Sequence, residues 1–255
     1  MNKIRMSVDI TMTILSIILM GGNYLFPKDI VHEILGVALF VLWGVHIALN
    51  RRWYASLAQA SKLLTSTNAN DRRSYGAILR GKYNPYRVMQ TVINCSILIC
   101  TIFLMISGII LSNHIFTFLN IQGGLGFARI AHLLASHWYY LFMSLHIGLH
   151  VGMIFGNKGT STSAGPSTGS GTTRTAIIPR ILLALVCAYG IYAFIIRGVW
   201  KYLILQQQFF FFDLERGYIF FALDYLSIII LFATISHFLA KLLKNITGVN
   251  TYDFR

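Results

Sequence analysis

The stretch VHEILGVALFVLWGVHIALNRRW, residues 31–53, decides how the rest of the sequence is interpreted. It is apolar enough to lie in lipid, yet it contains His32 and His46, fourteen residues apart. Because an α-helix turns by about 100° per residue, fourteen residues bring a side chain back to within about 40° of its starting direction, about 21 Å further along the axis. Both imidazoles are therefore predicted to lie on one face of a membrane-spanning helix.

The composition indicates a membrane protein. Of the 255 residues, 56% are hydrophobic and only 11% are charged, whereas soluble domains carry about 25% charged residues. The net charge of +13 comes mostly from Lys and Arg in loops between apolar runs, which is typical of proteins oriented by cytoplasmic positive charge. We therefore expect membrane lipid as a partner, and no nucleic acid.

Six apolar stretches reach the length of about 20 residues that a spanning helix needs. They are residues 8–26, 31–49, 88–112, 130–155, 177–199 and 217–243. The sequence thus predicts an all-α, polytopic membrane protein with six transmembrane helices. Residues 156–176, which are rich in Gly, Ser and Thr, are predicted to form a flexible linker between a four-helix bundle (1–155) and a two-helix C-terminal segment (177–255).

The distribution of positive charge predicts the orientation. Six spans put both termini on the same side, and that side would carry sixteen of the 21 Lys and Arg residues. Cytoplasmic loops carry the excess of Lys and Arg, so both termini are predicted to be cytoplasmic. Helices two and four then run in the same direction, from the outer face to the inner face.

The fourth helix repeats the histidine spacing of the second. In FARIAHLLASHWYYLFMSLHIGLHVG, residues 127–152, His132 and His146 are again fourteen residues apart. Two parallel helices with matched pairs predict two imidazole clamps, His32 with His132 near the outer face and His46 with His146 near the inner face. A bis-histidine haem b needs nitrogens from opposite sides of the macrocycle and an apolar slot. We therefore predict two haem b groups with these four histidines as metal ligands.

The inner ligand on the fourth helix has a second candidate. His150 lies one turn after His146, and eighteen residues after His132 make five whole turns. We favour His146 because its depth matches that of His46. His150 stays open as the inner ligand, or as a contact for a haem propionate or a quinone.

Haem binding also needs small residues where the macrocycle lies against the backbone, and cations for the propionates. The residues predicted for these two roles are Gly36 for close approach, Arg129 for the outer haem, and Arg51 or Arg52 for the inner haem.

Three carboxylates lie in or beside the apolar stretches. Asp9 and Glu33 lie near helix starts, and both are predicted to be solvated, with proton handling at a quinone site as the alternative for Glu33. Asp224 lies inside an apolar run, where a carboxylate is costly and is usually paired or functional.

Three segments resemble the flavinylation-associated cytochrome family, a group of bacterial membrane di-haem cytochromes b. They are HEILGVALFVLWGVHIALNRRWY, GKYNPYRVMQTVINCSILICTIFLMISGIILS, and GGLGFARIAHLL with MSLHIGLHVGMIFG. The resemblance implies a multi-pass protein of the bacterial inner membrane that works beside covalently flavinylated extracytoplasmic proteins. By position it also implies His32, His46, His132 and His146 as haem ligands, with His150 inside the same motif.

We therefore expect a cytochrome b that carries electrons across the bilayer, from quinol or a cytosolic donor to an extracytoplasmic flavoprotein. Such a chain would be the cytochrome subunit of a quinol-linked oxidoreductase, since the sequence contains no flavin or nicotinamide motif. One alternative is a transporter or proton-relay protein that uses intramembrane histidines without haem. Another is a haem-bearing sensor or assembly subunit without electron traffic.

Overall fold

Helices form nearly all of the structure. The computed structural model describes residues 3–22, 28–53, 55, 85–155, 174–210 and 217–247. In these ranges the chain forms no strand, and its main helices are α1 (Lys3–Met20), α2 (Asp29–Leu49), α3 (Pro85–Leu111), α4 (Leu125–Phe155), α5 (Arg174–Ile196), α6 (Val199–Leu203) and α7 (Gly217–Thr247). The all-α class predicted from the sequence is confirmed. Most of the predicted linker, residues 156–173, lies outside the described residues.

Helix α1 ends earlier than its apolar run predicts. It stops at Met20, whereas the run continues to residue 26. Gly22 follows at a φ of 58°, in the left-handed region that glycine adopts at little cost and that terminates helices. Apolar composition alone does not reveal this stop.

Helix α4 is the centre of the packing. It packs closely on α3 and on α7, while α5 packs on α7 and α1 on α2. One buried cluster combines Met20 of α1, Cys100 of α3, Tyr139 and Tyr140 of α4, and Tyr225 of α7. The C-terminal helices therefore share a hydrophobic core with the N-terminal ones.

Four of the described helices are long and apolar enough to cross a membrane: α2, α3, α5 and α7. Helix α1 carries three charged residues, Lys3, Arg5 and Asp9, within its 18 residues, and four histidines lower the hydropathy of α4; neither helix is among the four. An all-helical protein with several candidate spans agrees with the sequence analysis, and the number six stays a prediction.

Asp224 is buried within the C-terminal helices and is paired there. Its side chain accepts a hydrogen bond from the Tyr189 hydroxyl, and its other oxygen lies 2.7 Å from Nε of Arg197. These contacts tie the end of α5 to the first turns of α7. Burial of the carboxylate is explained by this pairing, because a buried charge needs an opposite charge and hydrogen bonds.

Gly148 marks the closest crossing of α4 and α7. A Cβ atom added there would overlap the carbonyl group of Ala233. At the start of α4, by contrast, a Cβ added to Gly126 would meet nothing within 4 Å. The missing side chain at Gly148 therefore lets the two backbones approach, as small residues do between membrane helices.

We expect Gly148→Ala to destabilise the protein, because α4 and α7 must separate to admit the methyl group. Overpacking of this kind costs about 1–3 kcal/mol. Thermal unfolding of the detergent-solubilised protein measures the effect, with Gly126→Ala as the matched control that should unfold at or above the wild-type temperature. Equal unfolding temperatures for the two variants would contradict the close crossing.

Candidate functional site

The structure brings the four predicted histidines together as two facing pairs. The ring centres of His32 and His132 lie 6.3 Å apart with planes at 61°. Those of His46 and His146 lie 6.4 Å apart with planes at 74°. Both pairings can hold only if α2 and α4 run in the same direction. We call the two positions the His32 level and the His46 level.

Each pair has the separation of two imidazoles bound to opposite sides of one metal ion. A first-row metal binds an imidazole nitrogen at about 2.0–2.1 Å. Since the nitrogen lies about 1 Å from the ring centre, two rings bound end-on to one ion have centres about 6 Å apart. Both observed separations agree with this value, so either level could hold a metal between its two rings.

Two imidazoles alone make an incomplete metal site. Structural metal sites are usually completed by four protein ligands, and the described part of the chain contains no group of three or more His, Cys, Asp or Glu side chains that could hold a metal ion. A haem supplies four nitrogens of its own and takes only its two axial ligands from the protein. The donor set at both levels therefore fits a haem better than a bare ion.

At the His32 level, a hydroxyl group of α3 orients the His132 ring. Oγ of Ser107 lies 2.9 Å from Nδ1 of His132. The same hydroxyl donates its hydrogen to the carbonyl oxygen of Phe103 at 2.6 Å, so it accepts a hydrogen bond from Nδ1–H of the histidine. This hydrogen bond fixes the tautomer and leaves Nε2 available as a ligand. A metal-binding histidine usually donates its other ring N–H in this way.

At the His46 level, both rings are held through Nδ1 as well. Oδ1 of Asn94 lies 2.8 Å from Nδ1 of His146, and Oδ1 of Asp9 lies 2.7 Å from Nδ1 of His46. Amide and carboxylate oxygens accept hydrogen bonds, so both Nδ1 atoms carry the proton. In the same region, Nδ2 of Asn50 donates to the carbonyl oxygen of His46 at 2.8 Å and lies 3.4 Å from Nε2 of that ring.

A cavity of about 510 Å³ surrounds the His32 level. Its walls come from α1, α2, α3, the loop after α3, α4 and residues 208–210, and most of the side chains are apolar. Gly36 and Gly108 both line it, and a Cβ added to Gly36 would meet nothing within 4 Å. The glycine backbone thus forms a cradle that a side chain would partly fill. The volume lies in the range of pockets that hold cofactors.

Glu33 lines this cavity and is bound by the loop that follows α3. Its carboxylate accepts hydrogen bonds from the Ser112 hydroxyl at 2.6 Å and from the backbone amides of Asn113 at 2.8 Å, His114 at 3.3 Å and Ile115 at 2.9 Å. The sequence predicts a solvated Glu33 and does not predict these contacts. Because Glu33 is next to His32, the same bonds fix the start of α2 against the loop that follows α3.

The other predicted site residues are two arginines, proposed to bind propionates, and His150. Arg129 lines the cavity at the His32 level, whereas Arg51 lies exposed just beyond the end of α2, five residues after His46. The ring of His150 lies 4.6 Å from that of His146, at an angle of 60°. His46 therefore faces His146, with His150 beside the pair.

Three contacts at the site were not predicted from the sequence: those of Asp9, Asn94 and Ser107 with the histidines. Asn94 and Ser107 are polar residues inside an apolar helix, whereas Asp9 lies near the charged start of α1; each lies at the depth of one histidine pair. This placement is the only signal that the sequence offers, since polar side chains within spanning segments tend to be paired.

We expect Gly36→Leu to reduce haem binding at the His32 level, because the new side chain would enter the cavity. Gly44 offers a matched control on the same helix, since it is exposed and a Cβ there meets nothing within 4 Å. Haem per chain, measured from the absorption of the purified protein, should fall in Gly36→Leu and stay at the wild-type value in Gly44→Leu. Unchanged haem in both variants would show that the cavity does not take the macrocycle.

Comparison with known proteins supplies the family. Residues 7–164 match the family profile described as prokaryotic cytochrome b561, and the match runs through α1 to α4 with all four facing histidines. Neither a search of curated proteins nor a search of solved structures found a match. More than half of the chain is covered, and it contains several apolar helices. The chain therefore belongs to the prokaryotic cytochrome b561 family and is a multi-pass cytochrome b of the bacterial inner membrane, a class that binds haem b and transfers electrons.

Proposed function

We propose that this chain holds two haem b groups, one between His32 and His132 and one between His46 and His146, and that electrons cross the membrane between them. The observation that supports this proposal is the repetition of one ring separation, 6.3 and 6.4 Å, at two levels of the same helix pair. Side chains that met only for helix packing would have no reason to repeat it.

The proposal includes six membrane spans, with α1 and α4 crossing as well. Helix α4 has 31 residues, which at about 1.5 Å per residue is longer than the roughly 30 Å of a hydrocarbon core. It packs between α3 and α7, both of which are candidate spans. The distribution of positive charge supports termini in the cytoplasm, with the His32 level towards the outer face.

The protein's own residues hold and orient the haem groups. The haem iron supplies one-electron chemistry when bound. Hydrogen bonds at Nδ1 keep three of the rings in the tautomer that presents Nε2, while Gly36 of α2 and Gly108 of α3 line the cavity at the His32 level without side chains. Arg129 at that cavity offers a cation to a propionate, and Arg51 is the candidate for the same role at the His46 level.

The electron donor and acceptor follow from chemistry and resemblance. A quinol dissolved in the bilayer or a cytosolic reductant would supply electrons, and an extracytoplasmic flavoprotein of the flavinylation-associated kind would receive them. In this arrangement the chain is the cytochrome subunit of a quinol-linked oxidoreductase.

Haem stoichiometry tests the proposal directly. The wild-type protein should contain two haem b per chain in a pyridine haemochrome assay, and its Soret band should shift on reduction with dithionite. His132→Ala and His46→Ala should each retain one haem, because each variant removes one axial ligand from one level only. His114→Ala, an exposed loop histidine, is the control and should keep both. A colourless wild-type protein would instead support the proton-relay hypothesis.

We expect His150→Ala to keep two haem groups, since His146 and not His150 faces His46. His146→Ala is the matched comparison one helical turn away and should retain only one. The haem-to-protein ratio of the two purified variants distinguishes the candidates. The reverse result, with haem lost from His150→Ala alone, would transfer the ligand role to His150.

A further inference from the structure

Asp9 is the charged partner of a proposed haem ligand. Its Oδ1 lies 2.7 Å from Nδ1 of His46. An ionised carboxylate can only accept, so the proton belongs to Nδ1 and the lone pair of the ring to Nε2. The contact joins α1 to α2, two helices that pack on each other.

The other two Nδ1 contacts at the site use neutral acceptors. His132 donates to the Ser107 hydroxyl at 2.9 Å, and His146 donates to the Asn94 amide oxygen at 2.8 Å. Among these three contacts, only that of His46 places a formal negative charge behind the ring. Asp29 and Glu33 also lie near the His32 level, so the levels differ in the charge of the acceptor at Nδ1 and not in the presence of a carboxylate, although their ring separations agree.

The cation nearest to Asp9 in the sequence of α1 forms its hydrogen bond with another group. This cation is Arg5, which lies one turn earlier and donates from Nη2 to the carbonyl oxygen of Leu49 at 2.7 Å. That bond fastens α1 to the end of α2. The Asp9 carboxylate bonds to His46 and also acts electrostatically on His150, which lies beside the pair.

We propose that Asp9, acting through His46, lowers the reduction potential of the haem at the His46 level. The inference rests on the proposed function. A carboxylate that accepts the Nδ1 proton increases the electron density at Nε2, and this makes the imidazole a stronger donor. A stronger donor stabilises ferric iron over ferrous iron, and hydrogen bonding to axial ligands is one of the ways in which a protein sets the potential of a haem.

The charge acts in the same direction as the hydrogen bond. Reduction adds one electron to the haem, and a nearby negative charge opposes that addition. The side chain of Asp9 is 48% exposed and that of His46 is 23% exposed, so screening limits the size of the effect. Ser107 and Asn94 are neutral, so their contacts with the histidines include the hydrogen bond but no negative charge.

The experiment compares Asp9→Asn with Asp9→Glu, after haem per chain has been counted in every variant. Asn keeps an acceptor oxygen for His46 but removes the charge, whereas Glu keeps the charge. In a potentiometric titration of the wild-type background, one of the two haem components should shift to higher potential in Asp9→Asn and the other should not move. Asp9→Glu should stay closer to the wild type than Asp9→Asn does.

Variants that retain only one haem show at which level the potential shifts. In His132→Ala, which keeps the His46 level, Asp9→Asn should raise the potential of the remaining haem. In His46→Ala, which lacks the proposed connection, the same substitution should leave the remaining haem unchanged.

If the wild-type protein contains two haem groups, the proposed function holds. In that case three outcomes would still overturn the inference about Asp9. They are unchanged potentials in Asp9→Asn, an equal shift of both haem groups, and loss of the His46-level haem from Asp9→Asn with retention in Asp9→Glu. The last result would make Asp9 a group that retains the haem and does not tune it. A wild-type protein without haem would refute the proposed function itself.

Discussion

The rings of His32 and His132 face each other at 6.3 Å, and fourteen residues later the rings of His46 and His146 do so at 6.4 Å. This constraint determines most of the architecture. Helices α2 and α4 must run in the same direction, show the same faces to each other over four turns, and remain far enough apart for both rings to fit. They are accordingly not among the closely packed helix pairs, and α2 has no buried residue of its own.

Neighbouring helices therefore set the separation that α2 and α4 cannot set by direct packing. Helix α1 packs on α2, and α3 packs on α4. The same two helices supply the hydrogen-bond acceptors for the rings, Asp9 from α1 and Asn94 and Ser107 from α3. Polar groups in an apolar surrounding are stable only when paired, so each contact both satisfies a polar side chain and fixes the direction of an imidazole. Helix α4 is held from its other side by α7, where Gly148 allows close approach.

The sequence predicts the two facing pairs because they depend on one periodicity, that of the α-helix itself. It also predicts the all-α class and the approximate positions of the six long helices, though not the short helix α6, and the family match supports a membrane cytochrome b. It does not reveal that Asp9 lies against His46 or that Glu33 receives four hydrogen bonds from the loop after α3, because both contacts depend on how separate helices are rotated about their axes. The end of α1 at Met20 depends on the backbone conformation of Gly22, which composition does not show. Asp224 could be recognised as costly, but its partners Arg197 and Tyr189 come from another helix and the turn that follows it.

Equal geometry at the two levels leaves chemistry as the source of any difference between them. Two haem groups with the same ligands and the same surroundings would have the same potential, and an electron would gain nothing by moving from one to the other. Each level of this protein has a carboxylate beside a histidine, but the two carboxylates are used differently. Glu33 accepts hydrogen bonds from one hydroxyl and three backbone amides of the loop after α3. These bonds stabilise its charge and fix the position of α2. Asp9 is engaged by the imidazole itself. In the proposed arrangement of two haem groups, a preference for one direction of electron transfer can therefore arise from a single hydrogen-bond acceptor on α1, without any change in the two ring separations.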